Sequence, residues 1–442
     1  MACLQGAPRA AGQPAGTGMS CAERRRTARA LFDAAVAAAD PARAVSRALG
    51  AQPLPAPGPG GRTLIIAFGK AAPAMTRATL GHVTAPWQAI CVTQHGNPTS
   101  LPDAVTMHHT GHPVPDEAGL AATCTVLDML DATGPADRVV ALISGGGSAL
   151  LPAPVSGLTL ADKIAVNRRL LESGLDIVQM NLVRQQLSRL KGGGLARCAA
   201  PAPVTALILS DVIGDDLRAI ASGPTAAPIG TAAEAAALLR NVGLWPDLPP
   251  AVRAHLAKPA PRAAPPAAAD NRLVGSNRFS LDAARTEAQA RRIAAHILSD
   301  RLTGDVGKAA KAILDAAAAA APGATLLFGG ETTVHLRGAG TGGRNQELAL
   351  CVALGARARD LPQGWVFLSG GTDGRDGPTD AAGGLVDCGT AGRIAMAGGD
   401  AAALLADNDS NRALRLAGDL LITGATGTNV ADIQILLMPE LG

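Results

Sequence analysis

The sequence contains no tyrosine, and aromatic residues make up only 2% of its 442 residues. Hydrophobic residues still account for 48% of the chain, so the cores must be built mainly from Ala, Val, Leu and Ile. Proteins that bind single-stranded nucleic acid commonly stack the bases on aromatic side chains. The scarcity of aromatic residues therefore argues against that function.

An excess of charge of one sign is also lacking. Lys and Arg number 39 and Asp and Glu 36, which gives a net charge of +3, and no long basic run occurs. Nucleic-acid binding depends on concentrated positive charge, so we expect no nucleic-acid partner. No uninterrupted apolar segment reaches the length needed to cross a bilayer, so we expect no membrane partner either.

The seven cysteines form no C-x-x-C pair, and their number is odd. Scattered thiols of this kind are typical of a reducing compartment, so we expect a cytoplasmic protein. Residues 1–20 are rich in Ala, Gly and Pro and lack the continuous apolar centre of a signal peptide. We interpret them as a disordered leader, or as an overlong start that precedes Met19.

Strand and helix patterns alternate through the first half of the chain. Apolar runs predict buried strands at 62–68, 138–143 and 204–209, and helices are predicted at 160–172 and 177–190. This alternation predicts a mostly parallel sheet that is covered by helices on both faces. Ligands of such sheets bind outside the carboxyl ends of the strands.

A Pro- and Ala-rich stretch at 256–270 predicts an exposed connection between two domains. We therefore predict a leader at 1–20, an N-terminal α/β domain at 21–255 and a smaller C-terminal α/β domain at 271–442. Met107 to Glu117 is predicted to be a polar loop rather than a histidine metal site. In the second half, strands are predicted at 272–275, 325–328, 332–336, 365–368, 419–422 and 432–438.

The stretch 139–154 is an apolar run that breaks into the glycines 145–147, between Ser144 and Ser148. Successive glycines allow backbone N–H groups to converge on a phosphate or a carboxylate. The alternative is a tight turn from strand to helix that binds nothing. Repetition favours anion binding, because glycine turns recur at 64–70, 190–194, 327–332, 366–377 and 420–429.

Two lysines stand beside these turns. Lys70 follows a predicted buried strand directly, and Lys191 precedes Gly192 and Gly193. An ammonium group in this position is a usual partner of a phosphate, and the alternative is a lysine that is simply solvated at a loop.

Three further charged residues occupy similar positions. Asp211 follows the strand 204–209, and Asp373 lies in a glycine-rich turn, where carboxylates can hold Mg²⁺ together with substrate phosphates. Turn formation is the alternative for both aspartates. Arg344 begins a predicted helix, where its guanidinium can bind a carboxylate or a phosphate through two N–H groups. The alternative is an ordinary arginine at a helix start.

Known nucleotide and hydrolase motifs are mostly absent. No Walker P-loop occurs, and Ser148 does not lie in G-x-S-x-G. Gly338, Gly340 and Gly343 match a dinucleotide-binding pattern. The acidic residue that should accompany them is Asp360, which follows a helix rather than a strand, so we favour a chance match.

Nine segments that span nearly the whole chain from about residue 22 match one family, in the family's order. They are IAFGKAAPAM (66–75), GHPVPDEAG (111–119), ISGGGSALLPAP (143–154), NLVRQQLSRLKGGGLA (181–196), LSDVIGDDLRAIASGPT (209–225), GGETTV (329–334), GGRNQELAL (342–350), LSGGTDGRDGPTDAAGG (368–384) and LITGATGTNVADIQI (421–435). In these segments the sequence resembles the class II glycerate kinases, whose C-terminal part is called the MOFRL domain. Some members carry the older name hydroxypyruvate reductase.

The resemblance implies ATP- and Mg²⁺-dependent phosphorylation of D-glycerate at its 2-hydroxyl, which gives 2-phosphoglycerate and ADP. It also implies a larger N-terminal Rossmann-like α/β/α sandwich and a smaller C-terminal α/β domain, with the active site in the cleft between them. The alternative function is an NAD(P)H-dependent reduction of hydroxypyruvate. A module that binds a sugar acid or a nucleotide without catalysis is a third reading, and both a monomer and a homodimer remain open.

We predict catalytic roles for Lys70, Asp211, Arg344 and Asp373. Lys70 and Lys191 are assigned to phosphates, and Arg344 to a carboxylate or to the transferring phosphoryl group. Asp211 and Asp373 are the candidates for holding Mg²⁺ or for accepting the hydroxyl proton. The residues expected to bind substrate or nucleotide are Ser144, Gly145, Gly146, Gly147, Ser148, Lys191, Gly192, Gly193, Gly330, Glu331, Asn345, Gly371, Thr372 and Asn429.

Overall fold

The computed structural model describes residues 18–98, 100–258 and 269–440, and two six-stranded sheets organise these residues. The predicted leader up to residue 17 and most of the predicted connection, 259–268, lie outside the described residues. The strands are β1 (Thr63–Phe68), β2 (Trp87–Gln94), β3 (Val105–Thr110), β4 (Arg138–Ile143), β5 (Val204–Leu209), β6 (Ala269–Gly275), β7 (Ala295–Asp305), β8 (Thr325–Thr333), β9 (Val366–Gly371), β10 (Gly383–Asp387), β11 (Leu420–Leu421) and β12 (Asp432–Leu437).

Helices cover both sheets, and short 3₁₀ turns lie at 220–222 and 245–247. The helices are α1 (Cys21–Ala38), α2 (Pro41–Ala51), α3 (Ala72–Leu80), α4 (Glu117–Asp131), α5 (Gly147–Leu150), α6 (Leu160–Glu172), α7 (Ile177–Gln186), α8 (Gly194–Ala199), α9 (Ala232–Asn241), α10 (Pro250–Leu256), α11 (Asn277–Ala290), α12 (Val306–Ala318), α13 (Arg344–Ala358), α14 (Thr390–Met396), α15 (Ala401–Ala406) and α16 (Ser410–Ala417).

The first sheet has the strand order β3-β2-β1-β4-β5-β6, and all neighbouring strands run parallel. Strands β1 and β5 are buried along their whole length, as expected where helices cover both faces. The chain winds outward in opposite directions from β1 and β4. The carboxyl ends of these two strands therefore form the crevice in which such sheets bind ligands.

The second sheet has the order β11-β10-β9-β12-β8-β7, in which β7 and β8 are parallel and the other pairs are antiparallel. The predicted α/β class with two domains is therefore confirmed. The patterns missed β7 and β10, and they split β8 into two strands. The predicted polar loop at 107–117 is partly wrong, because His108 and His109 lie in the edge strand β3.

Two elements pack across the predicted domain ranges. Helix α1 buries Leu31 and Phe32 against Leu327 of the second sheet, whereas strand β6 pairs with β5 and completes the first sheet. A reciprocal capping box between Ser20 and Glu23 begins α1. The chain thus crosses between the domains twice, because the apolar face of α1 finds its partners on the second sheet.

Among the described residues, no helix combines the length and the apolar character that a membrane crossing requires.

Candidate active site between the two domains

The turns after β1 and β4 lie side by side, because the parallel register pairs Phe68 with Ile143. The backbone N–H of Lys70 donates to the carbonyl of Gly145 at 2.9 Å, and the N–H of Ala71 donates to Ser144 Oγ at 3.1 Å. Gly69 has a φ of +127°, and a Cβ there would collide with Ser144 Oγ. A glycine is therefore required for this close approach. The side chain of Lys70, directly after this turn, is exposed.

The two glycine turns of the first domain differ in what their N–H groups do. Among the described residues, no acceptor binds the N–H of Gly145 or Gly146, so both remain available to an anion. The N–H groups of Gly192 and Gly193 instead donate to the carbonyls of Ser222 and Gly223, at 3.0 and 2.7 Å. These amides are already used, and the structure therefore does not support the predicted ligand-binding role of Gly192 and Gly193.

Asp211 follows β5 and packs against Gly145, where a Cβ would collide with its carboxylate. Burial raises the pKa of Asp211, and the nearby positive charge of Lys70 only partly opposes that rise. Lys70 and Asp211 thus lie close together, although neither forms a salt bridge within the part of the chain that the structure describes. The first domain contributes one cation and one carboxylate to the crevice.

The strand register of the second domain assembles the other side of the site. Asp432, the first residue of β12, pairs with Gly330 of β8 on one side and with Gly371 of β9 on the other. Glu331 and Asp373 follow these glycines closely in the chain, so three carboxylates meet at one edge of the sheet. The sequence patterns identify Asp432 only as the start of a strand and therefore miss its place in the site.

Arg344 begins α13 and joins two of these carboxylates. Its Nε and Nη2 atoms donate to the two oxygens of Asp432 at 2.6 and 2.9 Å, and Nη1 lies 3.1 Å from Glu331 Oε1. Burial opposes the charged form, but the hydrogen bonds and charge of Asp432 outweigh burial and raise the pKa of Arg344. The bidentate contact predicted for Arg344 is therefore made with Asp432, and two of the five guanidinium N–H groups remain without an acceptor in the described residues.

A cavity of about 900 Å³ separates the two domains. Asp211 lines it from the first domain, and Glu331 and Arg344 line it from the second. Burial raises the pKa of Glu331, Arg344 opposes this rise, and the charges of Asp432, Asp211 and Asp373 raise it further. Asp211, Arg344 and Asp373 thus all act on the charge of Glu331, and Lys70 acts on Asp211.

The carboxylates of this neighbourhood suit a hard divalent cation. Asp211, Glu331 and Asp373 crowd negative charge, as the raised pKa of Glu331 indicates, and Mg²⁺ commonly takes one or two protein carboxylates together with substrate phosphates. The described residues contain no cluster of three or more side chains placed to hold a metal by themselves. The donor set therefore fits a metal that is shared with a phosphate better than one held by the protein alone.

Other predicted binding residues serve the interior of the second domain. Asn345 is buried and accepts a hydrogen bond from Ser369 Oγ at 2.6 Å, and Thr372 Oγ1 donates to the carbonyl of Ala431 at 2.7 Å. Asn429 accepts from the N–H of Ala431 at 3.1 Å. Gly330 and Gly371 lie inside the sheet. These five residues position the site residues, and the structure does not support direct contact of Asn345 and Thr372 with a ligand.

The glycine pattern at 338–343 does not form a dinucleotide site. The N–H groups of 337–340 are used by a neighbouring loop: Asn408 Oδ1 accepts from Arg337 and Gly338, and Asp407 accepts from 339 and 340. The helix start that should face a pyrophosphate is capped by Asp376, which accepts from the N–H groups of 345 and 346. Among the described residues the N–H groups of 342–344 have no acceptor, but the carboxylate of Asp376 occupies the helix start, which disfavours a pyrophosphate there and weakens the alternative of a nicotinamide-dependent reductase.

Lys191 contacts the glycine turn at Ser148, whereas the backbone of Lys70 contacts it at Gly145. Lys191 Nζ donates to the carbonyl and Oγ of Ser148, at 2.8 and 2.7 Å, and lines a smaller pocket with Lys163 and Arg184. Neither Lys163 nor Arg184 was predicted to be functional. The sequence does contain a sign that Lys163 is buried. It precedes Val166 by three residues and Leu170 by seven, so it lies on the apolar face of α6.

Comparisons with known proteins agree with this architecture. Residues 27–257 match a domain of unknown function (DUF4147), and residues 324–432 match the MOFRL family. The chain is 37% identical over 387 residues to the D-glycerate 2-kinase of Thermotoga maritima, covering 85% of this chain and 91% of that protein. It is 41% identical over 430 residues to a putative hydroxypyruvate reductase of Agrobacterium vitis, covering 94% of each chain. A crystal structure of glycerate kinase from Thermotoga maritima matches with a TM-score of 0.86 and 36% identity, covering 94% of this chain and 99% of that one.

Two α/β domains enclose one charged cavity, and the match to the glycerate kinase structure places the chain in the class of two-domain α/β kinases. Within that class, the chain belongs to the glycerate 2-kinase family, because relatives well above 30% identity cover most of both chains.

Proposed function

We propose that this protein transfers the γ-phosphoryl group of ATP to the 2-hydroxyl of D-glycerate, giving 2-phosphoglycerate and ADP. The observation that carries the proposal is the apposition of Asp211 with Glu331 and Arg344 across the 900 Å³ cavity, with the charge of Lys70 acting on Asp211. The similarity to the D-glycerate 2-kinase of Thermotoga maritima supplies the substrate and the position of transfer. ATP is the expected phosphoryl donor of a kinase.

Phosphoryl transfer requires that charge be neutralised and that the acceptor be held in line, and it requires little covalent chemistry from the protein. The exposed ammonium of Lys70 and the free N–H groups of Gly145 and Gly146 are the donors we assign to phosphate oxygens. Arg344 contributes its two remaining N–H groups while Asp432 fixes its orientation. Each of these groups favours the negative charge of the transferring phosphoryl group.

The acceptor hydroxyl must lose a proton when its oxygen attacks phosphorus. We assign that proton to Asp211, because burial raises the pKa of its carboxyl group, and a raised pKa makes a carboxylate a stronger base. Glu331 has a raised pKa for a similar reason and lies on the opposite wall. When bound, Mg²⁺ would neutralise phosphate charge, and Asp373 is the residue that would hold it where Asp211 accepts the proton.

Isotope transfer tests the proposal directly. The purified protein is incubated with γ-labelled ATP and D-glycerate, and we expect the label in 2-phosphoglycerate, separated from the 3-phosphate by chromatography. A parallel assay follows NADH oxidation with hydroxypyruvate, and we expect none. NADH oxidation without label transfer would overturn the proposal and restore the reductase.

A cytoplasmic location and a monomeric or homodimeric state stay proposals. The location is supported by the six described cysteines, all of which carry free thiols.

A further inference from the structure

A second pocket lies entirely within the first domain, beside Gly146. Its volume is about 190 Å³, compared with about 900 Å³ for the cavity between the domains. Sites for drug-sized ligands typically measure roughly 300–1,000 Å³, so the larger cavity suits a nucleotide, and the smaller pocket suits only a small molecule. We call it the basic pocket after its three cationic residues, Lys163 on α6, Arg184 on α7 and Lys191 after α7.

The three cations are held by uncharged acceptors alone. Lys163 Nζ donates to the carbonyl of Leu187 at 3.0 Å, and Arg184 Nε donates to Asn167 Oδ1 at 2.9 Å. Lys191 Nζ donates only to Ser148. Carboxylates are absent from the pocket lining, and within the described ranges none of the three cations forms a salt bridge.

Burial of an unpaired charge is unfavourable, so such groups normally have a partner. Lys163 and Lys191 are only 9% and 5% exposed, and the ammonium of Lys163 has N–H groups left over. Burial lowers the pKa of Lys163 to about 7, and it also lowers the pKa values of Lys191 and Arg184. The part of the chain that the structure describes supplies no counter-charge, so a bound anion is the partner that this arrangement lacks.

The basic pocket adjoins the groups that we assign to phosphoryl transfer. Gly146 lines it, and a Cβ on Gly146 would lie 3.4 Å from Lys70 Cγ and 3.2 Å from the His112 ring. The preceding residue, Gly145, packs against Asp211. A small acid anchored in the pocket would therefore lie beside the turn 145–147, which contacts both Lys70 and Asp211.

We propose that the basic pocket binds the carboxylate of the hydroxy-acid acceptor and that the large cavity takes the nucleotide. The proposal rests on the kinase function argued above and assigns each substrate to its own wall of the site. Arg184 and Lys163 then determine specificity for an acid over a neutral polyol, because their charges have no other partner.

The test compares Arg184→Gln with the wild-type protein and with Arg189→Gln, a matched control whose exposed side chain lies five residues further along the chain. We expect KM for D-glycerate to rise at least about tenfold in Arg184→Gln, while KM for ATP changes less than about twofold. The preference for D-glycerate over its uncharged amide should fall by a similar factor, and Arg184→Lys should restore part of it. Lys163→Met is the second variant, with a thermal melt to establish that each protein is folded.

Each result decides between occupants of the pocket. A rise in KM for ATP alone would make the pocket a phosphate site and overturn the proposal. Unchanged KM values for both substrates in a folded variant would overturn it as well. Calorimetric titration with D-glycerate in the absence of ATP separates this inference from the kinase function: loss of binding in Arg184→Gln supports the pocket whether or not label transfer is found, and unchanged binding refutes it.

Discussion

Two clusters of charged residues in this protein differ in whether their buried charges are paired. In the second domain, Arg25 and Arg393 surround two aspartates, Asp387 and Asp419, whose side chains are 5% and 1% exposed. Arg393 lies 2.9 Å from Asp387 and 2.7 Å from Asp419, so the charges balance within the fold. In the basic pocket of the first domain, Lys163 and Lys191 are buried and Arg184 is half-buried, and no carboxylate of the described residues lines the pocket.

The difference teaches which charges belong to the fold and which await a ligand. Removing one partner of a buried ion pair destabilises the folded protein, because the remaining partner is then a buried charge without compensation. Removing an unpaired buried cation should instead stabilise the folded protein, because the cost of burying its charge disappears. Arg25 also shows why the paired cluster matters for architecture, because it attaches α1 to the second domain across more than 360 residues of chain.

The largest effect should come from breaking the paired cluster with Arg393→Met. Two nearly buried aspartates would then depend on Arg25 alone, and we expect the free energy of unfolding to fall by about 3–5 kcal/mol. Urea denaturation followed by circular dichroism measures this loss. Arg415→Met is the control, because Arg415 is exposed and lies 3.9 Å from an exposed Asp380, so its loss should stay below about 1 kcal/mol.

The pH dependence of that loss has a definite sign. Burial opposes ionisation of Asp387, but Arg393 outweighs it and lowers the pKa of Asp387. A carboxyl group with a lowered pKa contributes stability at neutral pH and loses it as the pH falls through the folded-state value. The difference between wild type and Arg393→Met should therefore shrink in acid, and a difference that is constant with pH would contradict the ion-pair explanation.

The next effect concerns Lys70. Like the cations of the basic pocket, it has no salt bridge in the described structure, but its side chain is exposed. If its charge acts on the transferring phosphoryl group, Lys70→Ala should lower turnover at least ~100-fold, which corresponds to about 2.7 kcal/mol. Steady-state kinetics with D-glycerate and ATP measures this change. Lys308→Ala, at an exposed position of α12, should leave turnover unchanged, and near-normal turnover of a folded Lys70→Ala protein would remove Lys70 from the mechanism.

Much of the fold could be predicted because local patterns and tertiary packing agree there. The strands β1, β4 and β5 are continuous apolar runs that are buried on both faces, and α6 has both a clear period and a capping box between Thr159 and Asp162. Strand β7 was missed because its edge position leaves alternate residues exposed and its register is irregular. The packing of α1 on the second sheet could not be predicted, since a helical period shows that one face is buried and does not show against what.

The candidate site divides in the same way. Glycine turns after strands identified Lys70 and Asp211, because chain neighbours of a strand end are also neighbours in space. Asp432 was missed because only the antiparallel register reveals that the first residue of β12 lies beside Gly330 and Gly371. Gly145 and Gly192 lie in the same kind of glycine-rich sequence, although the N–H of Gly145 is free among the described residues and the N–H of Gly192 is hydrogen-bonded. Only the contacts to Ser222 and Gly223 distinguish them, and those partners are distant in sequence.

The smallest effect is expected in the basic pocket. Lys163→Met should raise the free energy of unfolding by about 2 kcal/mol, because an apolar side chain of similar length replaces a buried unpaired charge. The pKa of Lys163 is lowered to about 7, below its unfolded value, so the protonated lysine opposes folding at neutral pH and this opposition fades as the pH rises above 7. His112, Arg184 and Lys191 line the same pocket, and Arg184 acts on Lys163 in the same direction as burial. Urea denaturation at pH 7 and pH 9.5 should therefore show a larger gain at pH 7. A loss of stability in Lys163→Met would mean that the ammonium is a structural group like Arg393, and the contrast between the two clusters would no longer hold.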